Sequence, residues 1–283
     1  MKETGPVMNT TSAQSTWQRN HMNSASATSS IKYIAVDGSK PREIEGAIVE
    51  EGLVCISVNG QELATFMCTP FDLEKLALGF LHNEQIISSL DDVRHLRVSK
   101  ATTCVDVWLW DTSFTPPERA IVTSGCGGGV TFDDLSGRHE PLTVELCAAP
   151  EQLAGLMQQM LLNADSYKQA RGIHTAVLAE RDQLLLQVED VGRHNCLDKL
   201  SGAALQQNVH TKGRILLSSG RISSEMINKA RRLQTPIVCS RTSPTSLSVA
   251  LAEAWNMTIV AYIRKNRMRI YTHPERILLP EKE

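Results

Sequence analysis

The second half of the chain alternates short apolar runs with amphipathic stretches, and this alternation constrains the fold more than any other feature. Strand-like runs occupy 175–179, 184–189, 214–218, 236–240 and 258–263, and helical patterns occupy 223–233, 244–255 and a stretch that begins after 192. Repeated strand–helix–strand units are typical of a parallel sheet with helices on both faces. The sequence therefore predicts an α/β domain, with a turn at Arg181–Asp182 between its first two strands.

The chain divides into three predicted parts. Residues 1–30 are rich in Ser, Thr, Asn and Gln without apolar periodicity, which predicts a disordered arm. Residues 31–147 are predicted to form a small α+β domain, with one helix that begins near Thr69–Pro70. Residues 148–283 are predicted to form the larger domain, which opens with an amphipathic helix after Pro150.

Composition narrows the class of protein. The chain has 283 residues, 42% hydrophobic content and a formal net charge of −2, so a soluble globular protein is expected. This charge gives no general attraction to nucleic acid or to a membrane surface, and a polyanion site would have to be local. No apolar run predicts a membrane span and no secretory signal pattern is present, so we expect a cytoplasmic protein. The seven cysteines are sparse, which predicts free thiols.

A glycine-rich loop carries one of these cysteines. The loop reads Thr-Ser-Gly-Cys-Gly-Gly-Gly over 123–129 and places Cys126 in a backbone with few restraints. A buried structural cysteine would favour apolar neighbours and regular secondary structure. We interpret Cys126 as a reactive sulfur. A mobile thiolate can carry sulfur as a persulfide, a task that needs reach and exposure more than a fixed catalytic triad.

The predicted strands end in polar and cationic residues. Because the carboxyl ends of parallel strands meet at one edge, these residues predict a pocket for a phosphate-rich, nucleotide-like ligand. The segments are 189–195, 218–221, 240–245 and 262–267, and they include Gly192, Arg193, His194, Asn195, Ser219, Arg221 and Ser243. For each segment alone, ordinary helix caps and solvated arginines remain an alternative interpretation. His194 is a candidate for proton transfer or ligand binding, or a structural histidine, whereas a structural role is favoured for His174.

Other chemistries lack their motifs. No two cysteines have the short spacing of a zinc site, and the P-C-x-x-C motif of zinc deaminases is absent, so no metal site is predicted. No G-x-S-x-G elbow is present for a serine hydrolase. The chemistry that remains is that of a reactive thiol beside an anion-binding pocket.

Several segments resemble one family. Residues 189–195 read Glu-Asp-Val-Gly-Arg-His-Asn and are followed by Leu-Asp-Lys at 197–199. These residues, together with 172–176, 219–225, 243–249, 262–267 and 271–272, resemble the motifs of the formate dehydrogenase accessory sulfurtransferases, the FdhD family. The resemblance covers about residues 41–277 and excludes the N-terminal arm.

The resemblance implies a fold, an activity and partners. It implies a cytidine-deaminase-like three-layer α/β/α C-terminal domain without the deaminase zinc, and usually a homodimer. It implies a sulfur carrier that accepts sulfur from a cysteine desulfurase and transfers it to the molybdenum or tungsten bis(molybdopterin guanine dinucleotide) cofactor before insertion into formate dehydrogenase. Cys126 matches the persulfide cysteine, and the segment assigned to cofactor contact matches Tyr262, Ile263, Arg264, Lys265, Asn266 and Arg267.

One position departs from the family pattern. Many members carry a second loop cysteine where this chain has Gly129, so a relay between two thiols of the loop is excluded. Either Cys126 acts alone or another thiol such as Cys196 assists. Two other functions are considered: a chaperone that holds the cofactor without transferring sulfur, and a hydrolase of guanine nucleotides.

Overall fold

The computed structural model of the chain describes residues 27–101, 103–117, 121–122, 130–131, 139–265 and 267–279. It begins with an antiparallel hairpin of β1 (Thr28–Asp37) and β2 (Lys40–Val49). The hairpin includes residues 28–30, at the end of the segment for which disorder is predicted. The rest of that segment, up to residue 26, lies outside the described residues.

A four-stranded sheet follows the hairpin. Its strands are β3 (Gly52–Val58), β4 (Gln61–Cys68), β5 (Val93–Val98) and β6 (Cys104–Leu109), in the spatial order β4-β3-β6-β5. Side chains alternate between the two faces along β3: Val54 and Ile56 are buried against α1 (Leu73–Asn83), whereas Leu53 is exposed. A single helix therefore covers one face of this sheet, and a 3-10 turn (Leu90–Asp92) leads into β5.

Helix α1 begins later than the sequence predicts. The prediction places its start near Thr69–Pro70, but the helix begins at Leu73. Thr69 is engaged elsewhere: its backbone N–H donates to Asp190 Oδ2 at 3.1 Å, and its hydroxyl accepts from the Val191 N–H at 3.0 Å. These long-range bonds hold the residue outside the helix.

The larger sheet has six strands and is mixed. After a short antiparallel pair, β7 (Ile121–Val122) with β8 (Val130–Thr131), the chain forms α2 (Pro150–Leu162) and α3 (Asp165–Ala170). The remaining elements are β9 (His174–Glu180), β10 (Gln183–Asp190), α4 (Arg193–Gln206), β11 (Ile215–Ser218), α5 (Ser224–Arg232), β12 (Ile237–Ser240), α6 (Ser246–Ala254), β13 (Thr258–Arg264), β14 (Arg267–Ile270) and a 3-10 turn (Pro274–Arg276). The strand order is β10-β9-β11-β12-β13-β14.

The prediction of a parallel sheet is correct only for its centre. Strands β11, β12 and β13 pair in parallel, because helices α5 and α6 connect them. Strand β9 is antiparallel to both β10 and β11, and β14 is antiparallel to β13. The connections at Arg181–Asp182 and around Lys265 are too short for a parallel crossover.

Helices pack on both faces of this sheet. Residues of α4, α5 and α6 form one apolar cluster with the strands, and residues of α2 form a second cluster with them. Leu153, Leu156, Met157 and Met160, which carry the predicted stripe of α2, are buried in the second cluster. The finer prediction of a cytidine-deaminase-like arrangement stays a prediction.

Helix α1 of the small sheet packs closely on α4 of the large one. A Cβ atom at Gly79 would overlap the backbone of Asp198, and a Cβ atom at Gly202 would overlap the carbonyl of Lys75. Both positions are therefore restricted to glycine by the close approach of the two helices. The contact joins a helix that lies before residue 147 to a helix that lies after it, so the two predicted domains pack against each other.

The prediction of free thiols is wrong for one pair. Cys55 in β3 lies directly opposite Cys104 in β6, and the two are joined by a disulfide. Cys68, Cys147, Cys196 and Cys239 are free. The two bonded residues are 49 apart in the sequence, and only the strand pairing brings them together.

Candidate anion-binding cleft

One edge of the six-stranded sheet collects the predicted site segments. Because β9 runs antiparallel to both β10 and β11, strands β10, β11, β12 and β13 all point the same way. Their carboxyl ends, at Asp190, Ser218, Ser240 and Arg264, therefore share this edge. The edge is where open α/β sheets usually bind ligands.

A cleft of about 1180 Å³ opens at this edge, between α2 and the β13–β14 turn. The residues that line it are Pro150, Glu151, Ala154, Gly155, Met157, Gln158, Leu161, Arg241, Ile263, Arg264, Lys265, Arg267 and Met268. Its volume exceeds the usual range of small-molecule sites and would admit a ligand larger than a single nucleotide.

The cleft is cationic. Arg241, Arg264, Lys265 and Arg267 contribute four positive charges, and Glu151 contributes one negative charge. Around the β13–β14 turn, Arg264, Lys265 and Arg267 are exposed, so their side chains are available to a ligand from solvent. Guanidinium groups bind phosphate oxygens in bidentate fashion, which makes the cleft a candidate site for a phosphorylated ligand.

Apolar side chains line the same cleft. Met157 of α2 and Ile263 of β13 belong to the core cluster on this face of the sheet, and Met268 packs against that cluster. A surface of this kind suits the flat rings of an amphiphilic ligand, while the cations suit its phosphates.

Helix α2 forms one wall of the cleft. The sequence analysis did not predict this helix as part of the site. Gly155 lies in the middle of this helix and lines the cleft, and a Cβ atom built there would meet no atom within 4 Å. Glycine inside a helix costs roughly 1 kcal/mol relative to alanine, and no neighbouring atom requires it here. The signal in the sequence was the glycine itself, inside an otherwise regular amphipathic pattern.

The segment predicted to contact the cofactor is divided between the two faces of the sheet. Ile263, Arg264, Lys265 and Arg267 line the cleft as a group. Tyr262 does not: it packs against the cluster on the opposite face, with Arg269 over its ring at 4.4 Å. Asn266 lies outside the described residues.

Tyr262 has an unusual backbone conformation. Its φ is 55°, a left-handed value that bulky residues rarely adopt. A register shift between Ala261 and Arg264 accompanies it, and the Tyr262 N–H donates to the Thr242 carbonyl at 3.2 Å. This irregularity lies directly before the cationic turn at the end of β13.

Gly192, Arg193, His194 and Asn195 lie in the interior at the start of α4 and do not line the cleft. Gly192 is the N-cap residue of this helix. Asn195 donates to the Met67 carbonyl and to Asp190 Oδ1, both at 2.9 Å. These contacts join α4 to the small sheet. A ligand role for the four residues stays a prediction.

His194 is enclosed by protein groups. Its Nδ1 lies 3.3 Å from Glu225 Oε2, and its Nε2 lies 3.0 Å from the Ser223 hydroxyl. Burial, followed by the charges of Arg193 and Lys229, lowers the pKa of His194 to about 2. The imidazole is therefore neutral at physiological pH, and both of its nitrogens face protein partners.

Ser219, Arg221 and Ser243 occupy the loops at the same edge. The Ser219 hydroxyl accepts from the Thr175 N–H at 2.9 Å and lies 3.3 Å from His174 Nδ1. The Ser243 carbonyl accepts from the Ile222 N–H at 3.1 Å, and the Arg221 side chain is exposed. Burial lowers the pKa of His174, and the structural role favoured for it stays a prediction.

Two buried ion pairs support this edge. Lys199 Nζ lies 2.6 Å from Asp190 Oδ2, and Lys229 Nζ lies 2.6 Å from Asp198 Oδ1. Lys199 is fully buried and also donates to the carbonyl of Thr69 at 3.2 Å. The Asp198 and Glu225 carboxylates outweigh the cost of burial and raise the pKa of Lys229, which keeps it cationic. Breaking such a pair leaves an uncompensated buried charge.

The described cysteines differ in their capacity to form a thiolate. Burial raises the pKa of Cys68 to about 12 and raises the pKa values of Cys196 and Cys239 above the ordinary value. Cys196 is fully buried at the start of α4, so the fold gives no support to its role as a second sulfur carrier. Cys147 is exposed. Cys126 lies outside the described residues.

The described residues hold neither a cluster of metal-ligating side chains nor a membrane-spanning helix. In these residues, no group of three or more His, Cys, Asp or Glu side chains has the arrangement of a metal site. Within the same ranges, no helix combines the length and the apolar character that crossing a membrane requires.

The fold and the cleft define a class of protein: an α/β protein with a cationic site at the carboxyl edge of its larger sheet. The model of the FdhD/NarQ family matches residues 49–278, and the chain belongs to this family. Two similar relatives are sulfur carrier proteins FdhD. That of Halalkalibacterium halodurans is 35% identical over 89% of this chain and 96% of its own length, and that of Bacillus subtilis is 32% identical over 83% and 92%.

A solved structure shares the fold. The crystal structure of a protein from Desulfotalea psychrophila, described as a formate dehydrogenase accessory protein, superposes with a TM-score of 0.74. It is 26% identical in sequence, and the match covers 89% of this chain and all of that one. The resemblance to the FdhD family, drawn first from motifs, is thereby confirmed.

Proposed function

We propose that this protein is a sulfur carrier that serves formate dehydrogenase, with Cys126 as the sulfur-bearing residue. Membership of a family whose relatives are named sulfur carrier proteins supports the sulfur chemistry. The glycine-rich sequence around Cys126 supports the choice of residue, because it combines a thiol with a backbone of few restraints.

The transfer proceeds in two exchanges at sulfur. The Cys126 thiolate attacks the outer sulfur of a persulfide on a cysteine desulfurase, so that the desulfurase regains its thiol and Cys126 becomes the persulfide. The S–S bond of the Cys126 persulfide then breaks: the outer sulfur passes to the acceptor as a neutral sulfur atom, and the electron pair of the bond stays on Cys126 as its thiolate. These two transfer steps need no second cysteine, in agreement with Gly129 in the loop.

The acceptor is the molybdenum or tungsten bis(molybdopterin guanine dinucleotide) cofactor, which is the substrate here. The cationic cleft is the observation that carries this proposal: its four cations match the pyrophosphates, and Met157 and Ile263 offer an apolar surface to the rings. In this arrangement Arg264, Lys265 and Arg267 hold the phosphates, and the Gly155 wall leaves room for the rings. The sulfurated cofactor then goes to the formate dehydrogenase apoenzyme.

The working assembly is a homodimer, as the family resemblance implies. Sedimentation of the purified protein over a range of concentrations tests this assembly, and a single monomeric species at every concentration would contradict it.

The alternative is a chaperone that holds the cofactor without transferring sulfur. A comparison of Cys126→Ala with the double variant Arg264→Ala, Arg267→Ala separates the two functions. Binding is measured by calorimetry with guanosine diphosphate as the probe, and function is measured as formate dehydrogenase activity in cells that lack the native protein.

We expect Cys126→Ala to bind the probe like the wild type but to leave formate dehydrogenase inactive. The double variant loses bidentate contacts to phosphate, so its affinity should fall about tenfold or more. Active formate dehydrogenase with Cys126→Ala would exclude sulfur transfer through this residue and favour the chaperone. If the double variant bound guanosine diphosphate with unchanged affinity, the β13–β14 turn would not be part of the binding site. Cys147→Ala, at an exposed free cysteine, is the matched control.

A further inference from the structure

The outer face of the four-stranded sheet carries a pair of cysteines. Helix α1 covers the inner face, where Val54, Ile56 and Val105 are buried. Cys55 and Cys104 alternate with these residues and therefore point to the other face, where both are partly exposed. On the same strands, Leu53 and Trp108 are 61% and 44% exposed. This face is open to small molecules in solution.

The two cysteines are positioned so that a disulfide between them can form, break and form again. They are direct partners in the parallel register of β3 and β6, and their Cα atoms are 4.5 Å apart. This separation lies in the range that disulfides span without backbone movement. The register is fixed by main-chain pairing, so the two sulfur atoms stay adjacent whether or not they are bonded.

We propose that Cys55 and Cys104 form a reversible redox site, oxidised and reduced by exchange with low-molecular-weight thiols and disulfides such as glutathione. A buried bond would be shielded from attack, whereas a bond on an open sheet face can be reached by a thiolate. The site is separate from the cationic cleft and does not depend on the proposed sulfur transfer.

Oxidation takes place in two exchanges. One thiolate attacks glutathione disulfide, the bond of the oxidant breaks, one glutathione leaves, and a mixed disulfide forms. The neighbouring thiol loses its proton and attacks the protein sulfur of that intermediate, which releases the second glutathione. The two protein thiols together give up two electrons and two protons, and one glutathione disulfide becomes two glutathione molecules.

The surroundings of Cys104 favour Cys55 as the first nucleophile. Asp106 Oδ1 lies 3.9 Å from Cys104 Sγ. Hydrogen bonds from Ser57 and Arg97 lower the pKa of Asp106, so this carboxylate is anionic at neutral pH. A negative charge at this distance opposes a second negative charge on Cys104, and the thiolate forms more readily on Cys55.

The bond has a mechanical consequence. It joins β3 to β6 and closes a segment of the chain that contains β4, α1 and β5. Closing such a loop restricts the unfolded chain, so the oxidised protein should be more stable than the reduced protein. The site would thus couple the stability of the small sheet to the redox state of the surrounding thiols.

The full-length protein is equilibrated in glutathione buffers from strongly reducing to strongly oxidising, quenched with an alkylating agent and digested for mass spectrometry. We expect the peptides of Cys55 and Cys104 to become cross-linked and released in one reversible two-electron transition, with a higher melting temperature for the oxidised form. Free thiols in every buffer would overturn the proposal. A cross-link that persists in every buffer would also overturn it, because the bond would then be a permanent structural one.

Single-cysteine variants test the order of attack and guard against misfolding. Cys104→Ser should accumulate a glutathione adduct on Cys55, faster than Cys55→Ser accumulates one on Cys104. Both variants should lose the difference in melting temperature between oxidised and reduced samples. The exposed Cys147 is an internal control, since it can take up glutathione but has no adjacent partner in the described structure. Equal rates for the two variants would contradict the assignment of Cys55.

Discussion

His194 shows how one buried side chain links solvation to stability. The folded protein holds its pKa at about 2, mainly through burial, whereas an imidazole in an unfolded chain has a pKa of about 6.5. Below that value the unfolded state binds a proton that the folded state does not. The stability that depends on neutral His194 is therefore complete above about pH 6.5 and is lost as the pH falls.

We predict that replacing this residue removes part of the acid sensitivity of the fold. Between about pH 7.5 and about pH 5.5, His194 contributes a loss of about 1.4 kcal/mol in the free energy of unfolding. His194→Gln should show a correspondingly smaller loss over this interval, measured by urea unfolding at both pH values. His95→Gln, at an exposed position, is the control and should follow the wild type. Equal pH dependence for His194→Gln and the wild type would contradict the prediction.

The identity of His194 as a residue of interest could be predicted, but its environment could not. Its position after a strand and before a helix was visible in the pattern 189–195. Its contacts with Glu225 and Ser223 depend on α5 lying beside α4, and residues that are 29 apart or more carry no local signal of this proximity. Burial by tertiary packing decides between a titrating and a neutral histidine.

Helices and strands were predictable where local patterns determine them. The α2 stripe and the central strands β11, β12 and β13 match the predicted positions within two residues. The turn at Arg181–Asp182 indicates the antiparallel pairing of β9 with β10, but the antiparallel pairing of β9 with β11 was missed, because an apolar run of this length gives no strand direction. The division of 262–267 between two faces was missed for a related reason, since it depends on a register shift in β13.

Helix α2 gives a prediction that separates stability from binding. Gly155 lines the cleft with open space beside it, so Gly155→Leu should be accommodated and should stabilise the helix by about 0.8 kcal/mol through propensity. The same side chain would occupy the cleft, so affinity for guanosine diphosphate should fall about tenfold or more. Calorimetry and urea unfolding measure the two effects.

Gly155→Ala is the matched control for this helix. A methyl group fills little of the cleft, so the variant should gain similar stability and keep most of its affinity. Loss of stability in Gly155→Leu would show that there is no free space beside residue 155 for a larger side chain. Unchanged affinity in a stable Gly155→Leu would place the ligand elsewhere.

The whole molecule depends on the contact between α1 and α4. This contact joins the helix that covers the small sheet to the helix that begins at the candidate edge of the large sheet. Asn83 of α1 donates to Asp198 Oδ1 at 2.8 Å, and Lys229 of α5 binds the same oxygen at 2.6 Å. The two sheets are thus connected by packing and by a shared buried carboxylate.

Gly202 tests the importance of this contact. There is no space for a methyl group at this position, because the methyl group would overlap the backbone carbonyl of Lys75. A backbone carbonyl cannot move aside as a flexible side chain would. Gly202→Ala should therefore force α1 and α4 apart and lower the free energy of unfolding by at least about 1–3 kcal/mol, although alanine favours helix. Urea unfolding measures the loss, and Gly155→Ala, which adds the same methyl group where there is space, should be stabilised instead. If Gly202→Ala were as stable as Gly155→Ala, the two helices would have to be farther apart in solution, and the connection between the sheets would rest on hydrogen bonds such as those of Asp198 and Thr69.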